Sequence, residues 1–180
     1  ARSEIEAQAA ALSETGLLPE WHATYPSIDA PTILIGNEFL DTEAVRQLVL
    51  TRQGWRTRAV GLGGEGRLVF TDLAAADADA EMRQRWPDAQ VGAVAEEPDG
   101  SFVDWMRIAC DLEQVPSSRA ALLIDYGHAE TGLGETLQAV RGHRSEHPLT
   151  SPGEADLTVQ VDFARLEAWL ERIGLTVDGP

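Results

Sequence analysis

The sequence predicts an α/β domain that carries an antiparallel insertion. Two runs, PTILIG at residues 31–36 and AALLIDYG at residues 120–127, are strongly apolar at their centres, which is typical of buried strands in a parallel sheet. Between them, residues 44–71 alternate between apolar and polar side chains and contain glycine turns. Amphipathic patterns at residues 101–114 and 162–174 predict helices. Buried strands that alternate with helices around one antiparallel unit indicate the α/β class.

The first half of the chain contains a helix, the first buried strand and three antiparallel strands. Ile5, Ala9 and Leu12 form an apolar stripe at helical spacing, and Gly16 is suited to end that helix. After the run PTILIG, the segments VRQLVLT, GWRTRAVGL and GRLVFTD follow one another with glycines between them. They predict a three-stranded antiparallel meander, which we place at residues 44–71.

The second half adds two helices, the second buried strand and a long loop region. Residues 72–87 are acidic and rich in alanine, and they predict a surface helix or a loop. Residues 127–156 are rich in Gly, Pro, Ser and His, which predicts a loop region with a short strand near ETLQAVRG. Asp162 is a suitable N-cap for the last helix, and LTVDG at residues 175–179 predicts a further strand. We expect residues 1–180 to form a single domain.

Composition restricts the partners that the protein can bind. Thirty acidic residues against fourteen basic ones give a formal net charge of −16, and every basic residue is an arginine. Such a surface repels phosphate groups, so we expect a basic or arginine-containing protein as partner, and neither nucleic acid nor an anionic membrane. A sequence without lysine cannot use Schiff-base chemistry or a P-loop lysine. It also suggests a GC-rich bacterial gene, so we expect the cytoplasm rather than the mitochondrial matrix.

The single cysteine and the hydropathy pattern fit an intracellular protein. Cys110 has no second cysteine with which to form a disulfide within the chain, which fits a reducing compartment. Its apolar helical surroundings indicate a core residue rather than a nucleophile. No segment approaches the roughly 20 apolar residues of a membrane helix, so we expect no membrane insertion. The start at Ala1, already in a helical pattern, suggests a fragment or a processed product.

Polar side chains follow both buried strands. Asn37 and Glu38 end the first strand, and Asp125 and Tyr126 end the second. Ligands of an open parallel sheet bind outside the carboxyl ends of its strands, so these residues mark a candidate site. Glu38 can hold a guanidinium group through two oxygens, and Asn37 offers both a donor and an acceptor. The alternative interpretation is that Asn37 and Asp41 shape a turn and that Asp125 caps a loop.

Three histidines near the second strand raise the question of a metal site. His143 and His147 have the spacing of ligands on one helix face, as in zinc motifs. Gly142 and Pro148 flank them, however, and disfavour a helix at this place. We therefore predict no metal site and interpret His143 as a loop residue that orders the substrate or a neighbouring loop. The glycines of GLGGEG lie between alternating strands and are interpreted as a hairpin turn rather than a phosphate loop.

Three separated motifs resemble one known family. The segments ILIGNEFLDTEAVRQLV, ALLIDYGH and GETLQAVRGHRSEHPLTSPGEADLTVQVDFARLEAWLERIGL lie between residues 32 and 179 in the family's order. The sequence is similar to MidA-type S-adenosylmethionine-dependent methyltransferases of the Rossmann-like class. Their eukaryotic member is a mitochondrial complex I assembly factor that methylates an arginine of a complex I subunit. The resemblance implies a partial Rossmann-like methyltransferase sheet with an antiparallel meander insertion.

The resemblance also implies a function and a set of site residues. It implies a class I protein methyltransferase that uses S-adenosylmethionine and acts on an arginine of a partner protein, with a respiratory-complex subunit as one candidate. In this interpretation the chain carries the acceptor side of the site, and Glu38 holds the acceptor guanidinium. A homo-oligomer is a further expectation. The residues carried over are Asn37, Glu38 and Asp41 as catalytic, Phe39, Asp125, Tyr126 and His143 as substrate-binding, and Gly36 and Asn37 as cofactor-binding.

The sequence departs from the family pattern in two places. Thr42, Glu43 and Ala44 replace the Ala-Leu-Pro-like stretch that usually follows the motif's aspartate. The glycine-rich loop that cradles the methyl donor in the family is absent from this chain, which matches the later portion of a methyltransferase. The alternative function is therefore a catalytically inactive methyltransferase-like scaffold or a protein-binding module.

Overall fold

A computed structural model describes residues 2–17, 19–22, 26, 28, 30–74, 76–110 and 119–179. Within these ranges, no helix is long and apolar enough to cross a membrane. The helices are α1 (Arg2–Leu12), α2 (Ala76–Arg85), α3 (Ser101–Cys110) and α4 (Phe163–Arg172). The strands are β1 (Thr32–Asn37), β2 (Val45–Thr51), β3 (Gly54–Leu62), β4 (Leu68–Ala74), β5 (Val94–Pro98), β6 (Arg119–Ile124), β7 (Gly127–His128), β8 (Gln138–Arg141), β9 (Arg144–Glu146), β10 (Asp156–Thr158) and β11 (Val161–Asp162).

The two apolar runs pair with each other. β1 and β6 form a two-stranded parallel sheet, in register from the pair Thr32 and Arg119 to the pair Asn37 and Ile124. Parallel neighbours require a crossover connection, and here the crossover contains the whole antiparallel insertion and α3. The predicted partial Rossmann-like sheet is confirmed in these two strands, and their carboxyl ends lie side by side.

Among the described residues, those that pack against this parallel sheet cover one of its faces. On that face, Leu34 and Leu123 contact a core cluster. On the other face, Ile33 and Ile35 are 75% and 69% exposed. The expectation that both faces are buried is therefore wrong within the described residues, because α3 and α4 cover the same side. The buried members of the cluster are Leu40, Phe102, Met106, Leu166 and Leu170.

The insertion is a four-stranded antiparallel sheet with the strand order β4–β3–β2–β5. The predicted meander is confirmed in β2, β3 and β4. β5 pairs with the free edge of β2 and was not predicted, since its sequence VAEEP carries two charged residues. Residues 76–85 form a helix rather than a loop, and Met82 of this helix packs against Trp55 and Leu48 on one face of the sheet. Helix α2 therefore covers one face of the antiparallel sheet, and the other face points away from α2.

A charged pair holds α4 against the insertion. Asp162 is the predicted N-cap of α4, and its Oδ1 accepts a hydrogen bond from the backbone N–H of Arg165 at 2.9 Å. The guanidinium of Arg165 donates to both carboxylate oxygens of Glu97 on β5, at 2.7 and 3.2 Å. Such bidentate pairs combine energy with geometric specificity. The pair fixes the antiparallel sheet relative to the core beneath β1 and β6.

The segment predicted as a long loop region contains several short strands. β8, β9 and β10 form a three-stranded antiparallel sheet, and β7 pairs with β11 in parallel. The short strand expected near ETLQAVRG is β8. The strand predicted at residues 175–179 does not form, although Leu175 and Val177 pack against the core cluster.

Gly127 lies where β7 and β11 approach each other closely. A Cβ atom at this position would stand 2.2 Å from the carbonyl oxygen of Val161 and 2.7 Å from the ring of Phe163. The φ angle of Gly127 is not positive, so space rather than backbone angle requires the glycine.

We predict that Gly127→Ala destabilises the fold by about 2 kcal/mol or more, because a methyl group would displace backbone rather than a flexible side chain. Urea unfolding followed by tryptophan fluorescence measures the loss. Gly132→Ala is the matched control, since its nearest neighbour would be 3.9 Å away. Equal unfolding midpoints for the two variants would contradict the close approach.

Candidate functional site

The carboxyl ends of β1 and β6 bring two polar segments together. Asn37 pairs with Ile124 at the end of the parallel sheet, and the backbone N–H of Glu38 donates to the carbonyl oxygen of Ile124 at 2.9 Å. The chain then turns through residues 40–42 in a 3-10 turn. We call residues 37–41 together with Asp125 and Tyr126 the strand-end lip.

The carboxylate of Asp125 holds the lip together. Its Oδ2 accepts hydrogen bonds from the backbone N–H groups of Phe39, Leu40 and Asp41, at 3.0, 2.7 and 3.1 Å. Its Oδ1 accepts from the backbone N–H of Tyr126 at 2.8 Å. These contacts match the alternative raised from the sequence, an aspartate that caps a loop. A direct contact between Asp125 and a substrate stays a prediction.

Glu38 adopts an unusual backbone conformation beside this anchor. Its φ angle is +48°, in the left-handed region that is uncommon for residues other than glycine. Such conformations cost of order 1–3 kcal/mol and cluster at functional sites. The hydroxyl of Tyr126 donates to Oε1 of Glu38 at 3.3 Å, and both residues are exposed. The turn therefore presents the Glu38 carboxylate to solvent at the end of the sheet.

Asp41 supplies a second, less exposed carboxylate. Its Oδ1 is buried and accepts no hydrogen bond from the described part of the protein. Burial raises the pKa of the Asp41 carboxyl above its usual value, and the charges of Asp125 and Glu38 raise it further, whereas the backbone N–H groups of Asp41 and Thr42 lower it by a smaller amount. Asp41 lines a cavity of about 310 Å³ that also contacts Tyr126 and Gln138. An unpaired buried acceptor in such a wall is suited to a cationic hydrogen-bond donor.

Phe39 and Asn37 of the lip, and Gly36 directly before it, differ in their surroundings. Phe39 is half-exposed and lies edge-on to Phe102, with 6.3 Å between the ring centroids. Asn37 is exposed at the end of β1. Gly36 leaves room for Leu123, whose side chain would stand 3.1 Å from a Cβ at that position. These positions leave the amide of Asn37 accessible to a ligand.

Leu40 is the lip residue that the sequence analysis missed. It is buried in the core cluster, so the turn is attached to the core directly behind the two carboxylates. The signal was present, since an apolar residue between Glu38 and Asp41 is unusual for a solvent-facing turn. Gln138 and Gln160, which line the cavity with Asp41, had no such signal because neither follows one of the two predicted buried strands.

His143 does not join the lip. Gly142 and His143 have φ angles of +55° and +61° at the tip of the β8–β9 hairpin. Gln138, at the start of β8, lines the Asp41 cavity. His143 follows five residues later, and a strand advances roughly 3.3 Å per residue. The tip of the hairpin therefore lies away from this cavity. Among the residues described, no three His, Cys, Asp or Glu side chains are grouped so that they could hold a metal ion. The role of His143 in ordering a substrate stays a prediction.

Fold and site together define an α/β protein with an acidic candidate site at the carboxyl ends of parallel strands. The chain belongs to the family of S-adenosyl-L-methionine-dependent methyltransferases, whose model matches residues 3–180. The resemblance drawn from the three motifs is thereby confirmed.

Relatives with assigned functions are considerably longer than this chain. It is 29% identical to the mitochondrial protein arginine methyltransferase NDUFAF7 homolog of Caenorhabditis elegans, over 93% of this chain and 39% of that protein. It is 30% identical to the corresponding protein of Danio rerio, over 84% of this chain and 36% of that protein. The chain thus spans less than half the length of these relatives.

A solved structure shares the fold. A protein from Burkholderia thailandensis, described as a likely methyl transferase and bound to S-adenosyl-homocysteine, superposes with a TM-score of 0.67. The two sequences are 26% identical, and the match covers 96% of this chain and 44% of the other. The similarity therefore extends from the parallel strands through the insertion to α4.

We predict that Asp125→Asn destabilises the fold by about 2 kcal/mol, because asparagine is uncharged and has one acceptor oxygen, whereas Asp125 accepts backbone N–H groups on both of its oxygens. Chemical denaturation at pH 7 measures the change. Asp88→Asn, at an exposed turn, removes the same charge without these contacts and serves as the control. An Asp125→Asn variant as stable as that control would show that the anchor contributes little.

The raised pKa of Asp41 predicts a pH-dependent stability difference. A carboxyl group whose pKa is higher in the folded state stabilises the fold below its unfolded pKa, near 3.8, and this stabilisation is lost as the pH rises through the folded value. Asp41→Asn, which does not titrate, should therefore gain stability relative to the parent between pH 3.5 and pH 7. Unfolding measured across this range tests the sign, with Asp88→Asn as control. A difference that shrinks with rising pH would contradict the burial of Asp41.

Proposed function

We propose that the protein is an S-adenosylmethionine-dependent methyltransferase that acts on an arginine of a partner protein. The observation that carries this proposal is the pair of carboxylates at the strand-end lip. Glu38 is presented to solvent by a left-handed turn, and Asp41 has a buried oxygen that accepts no hydrogen bond from the residues that the structure describes. The family match and the relatives named as protein arginine methyltransferases support it.

The residues of the lip fit the chemistry of the methyl donor. S-adenosylmethionine carries a polar amino-acid end, an aromatic base and a positively charged sulfonium, and when bound it supplies an electrophilic methyl group. Asn37 offers an exposed amide for polar groups, and the exposed ring of Tyr126 offers an aromatic face. The carboxylates of Glu38 and Asp41 favour a nearby positive charge. We assign Asn37 and the backbone at Gly36 to the donor side of the site.

The acceptor side uses the two carboxylates for positioning. A guanidinium held by both oxygens of Glu38 has one nitrogen fixed in direction, which is the main requirement for attack on the methyl group of a strong electrophile. The hydroxyl of Tyr126, 3.3 Å from Oε1 of Glu38, orients that carboxylate. The proton released by the attacking nitrogen can pass to a Glu38 oxygen. Phe39, exposed next to Glu38, provides an apolar contact for the methylene groups of the arginine.

The partner and the location follow from charge and resemblance. A net charge of −16 attracts a basic polypeptide, and a respiratory-complex subunit is our candidate because of the family resemblance. We place the protein in a bacterial cytoplasm on its lysine-free composition, and we include a homo-oligomer among the forms to be tested in solution.

One observation favours the alternative of a non-catalytic binding module. The apolar face of β1, with Ile33 and Ile35, is exposed and can contact another protein without any methyl transfer. Calorimetry with S-adenosylmethionine separates the two functions. Binding of the methyl donor supports the enzyme, whereas the absence of binding by the protein expressed from its complete gene supports the module.

We predict that Glu38→Gln lowers the transfer of radiolabelled methyl groups to arginine-rich proteins by at least about 100-fold, because glutamine cannot balance the guanidinium charge or take its proton. The fold should remain intact in circular dichroism. Glu65→Gln is the matched control, since Glu65 is also an exposed glutamate with positive φ. Full transfer by the Glu38 variant would reject this role.

A further inference from the structure

A groove leads from the strand-end lip across the insertion. Asp41, Thr158 and Val159 line both the cavity beside Tyr126 and a second cavity of about 510 Å³. The second cavity continues over Val45, Arg58, Val60, Phe70 and Leu157. We call this continuous surface the sheet groove. Because it shares Asp41 with the lip, a ligand that enters the lip can continue into it.

The floor of the sheet groove is the sheet face opposite α2. Val60 and Phe70 are cross-strand partners and so project to the same face. Trp55, an odd number of residues from Val60, projects to the other face, where it packs against Met82 of α2. Leu157 of β10 also lines the cavity. Val60 is 54% and Leu157 49% exposed, so the groove presents aliphatic surface to solvent.

The charges in the groove are unequally satisfied. The guanidinium of Arg58 pairs with Glu135, donates to Oε1 of Gln47 at 3.1 Å and lies 5.0 Å from the ring centre of Phe70. Its positive charge is therefore already balanced. At the other end, Oδ1 of Asp41 accepts no hydrogen bond within the described chain. The lip is thus acidic, whereas the cavity beyond it combines aliphatic side chains with the paired Arg58, Arg46 and Glu43, whose carboxylate accepts from the backbone N–H of Phe102.

We infer that the sheet groove binds the acceptor polypeptide as an extended segment, with its arginine held by Glu38 beside Asp41 at the lip and an aliphatic side chain against Val60 and Leu157. This inference rests on the proposed function and specifies its substrate, a protein segment in which an aliphatic residue lies close to the acceptor arginine. Charge complementarity orients the segment, because the carboxylates of Glu38 and Asp41 favour a cation at the lip end, and the two arginines Arg46 and Arg58 line the other part of the groove. The volume of about 510 Å³ is within the range of ligand sites and holds a few side chains.

The first test uses pairs of arginine peptides that differ by leucine or serine at each position near the arginine. Binding is followed by fluorescence anisotropy, and methylation by radiolabel, with the protein expressed from its complete gene. We expect leucine at one position to improve both the dissociation constant and KM about tenfold, as for burial of one aliphatic side chain. Equal values for all pairs would overturn the inference.

The second test removes the aliphatic surface without changing the strands. In the double variant Val60→Thr and Leu157→Thr, we expect the preference for leucine to disappear, so that the leucine and serine peptides of each pair give equal dissociation constants and equal KM values. Val69→Thr is the matched control, because it makes the same replacement at a partly exposed site on the opposite face of the same sheet. A preference that survives the double variant, or disappears equally in the control, would overturn the inference.

The two proposals fail in different ways. If peptides bind with the leucine preference and no methyl group is transferred, the groove stands and the proposed function fails. If peptides are methylated without that preference, the proposed function stands and the groove fails. If no arginine peptide binds, both fail.

Discussion

The carboxylate of Asp125 is the contact on which the candidate site depends. One oxygen accepts three successive backbone N–H groups from residues 39–41, the arrangement by which an acidic side chain satisfies free donors at the start of a helical turn. The anchor comes from β6 and the turn from the end of β1, so pairing of the two strands and formation of the turn require each other. The same turn buries Leu40 in the core, turns Asp41 towards a cavity and leaves Glu38 in its left-handed conformation. The site is thus built into the edge of the sheet and not attached to a loose loop.

A few polar contacts position the insertion and the segment between β10 and β11 against this edge. Arg165 and Glu97 join α4 to β5, and the backbone N–H of Val159 donates to the carbonyl oxygen of Asp41 at 2.8 Å. Helix α4 therefore contacts both the core cluster and the antiparallel sheet. Residues 40–41 connect the strand-end lip to the core cluster and to Val159. A change in the packing of α4 therefore alters the shape of the sheet groove as well as the stability of the core.

Sequence patterns predicted the parts of this structure that local chemistry determines. The apolar runs predicted β1 and β6, and the alternating pattern predicted β2 to β4. Asp162 was predicted as a cap because an aspartate directly before a helix can accept a hydrogen bond from a free backbone N–H of the first turn. Long-range pairing determined what was missed. β5 contains Glu96 and Glu97, whose charges disfavour a strand until Arg165 and other partners at distant positions are considered. For Asp125, a carboxylate that binds substrate and one that binds backbone N–H groups are identical in sequence, and only the turn beside it distinguishes them.

The uncovered face of the parallel sheet has a consequence for the protein in solution. Ile33, Ile35, Leu122 and Ile124 alternate with packed residues and so lie on one face, each at least 50% exposed. Within the described chain, β1 and β6 also have no further strand beside them, and exposed apolar strands with free edges promote aggregation. The net charge of −16 opposes such contacts by mutual repulsion. At 0.1 M salt, the repulsion between charges more than about 10 Å apart is largely screened. The colloidal stability of the chain should therefore fall as ionic strength rises.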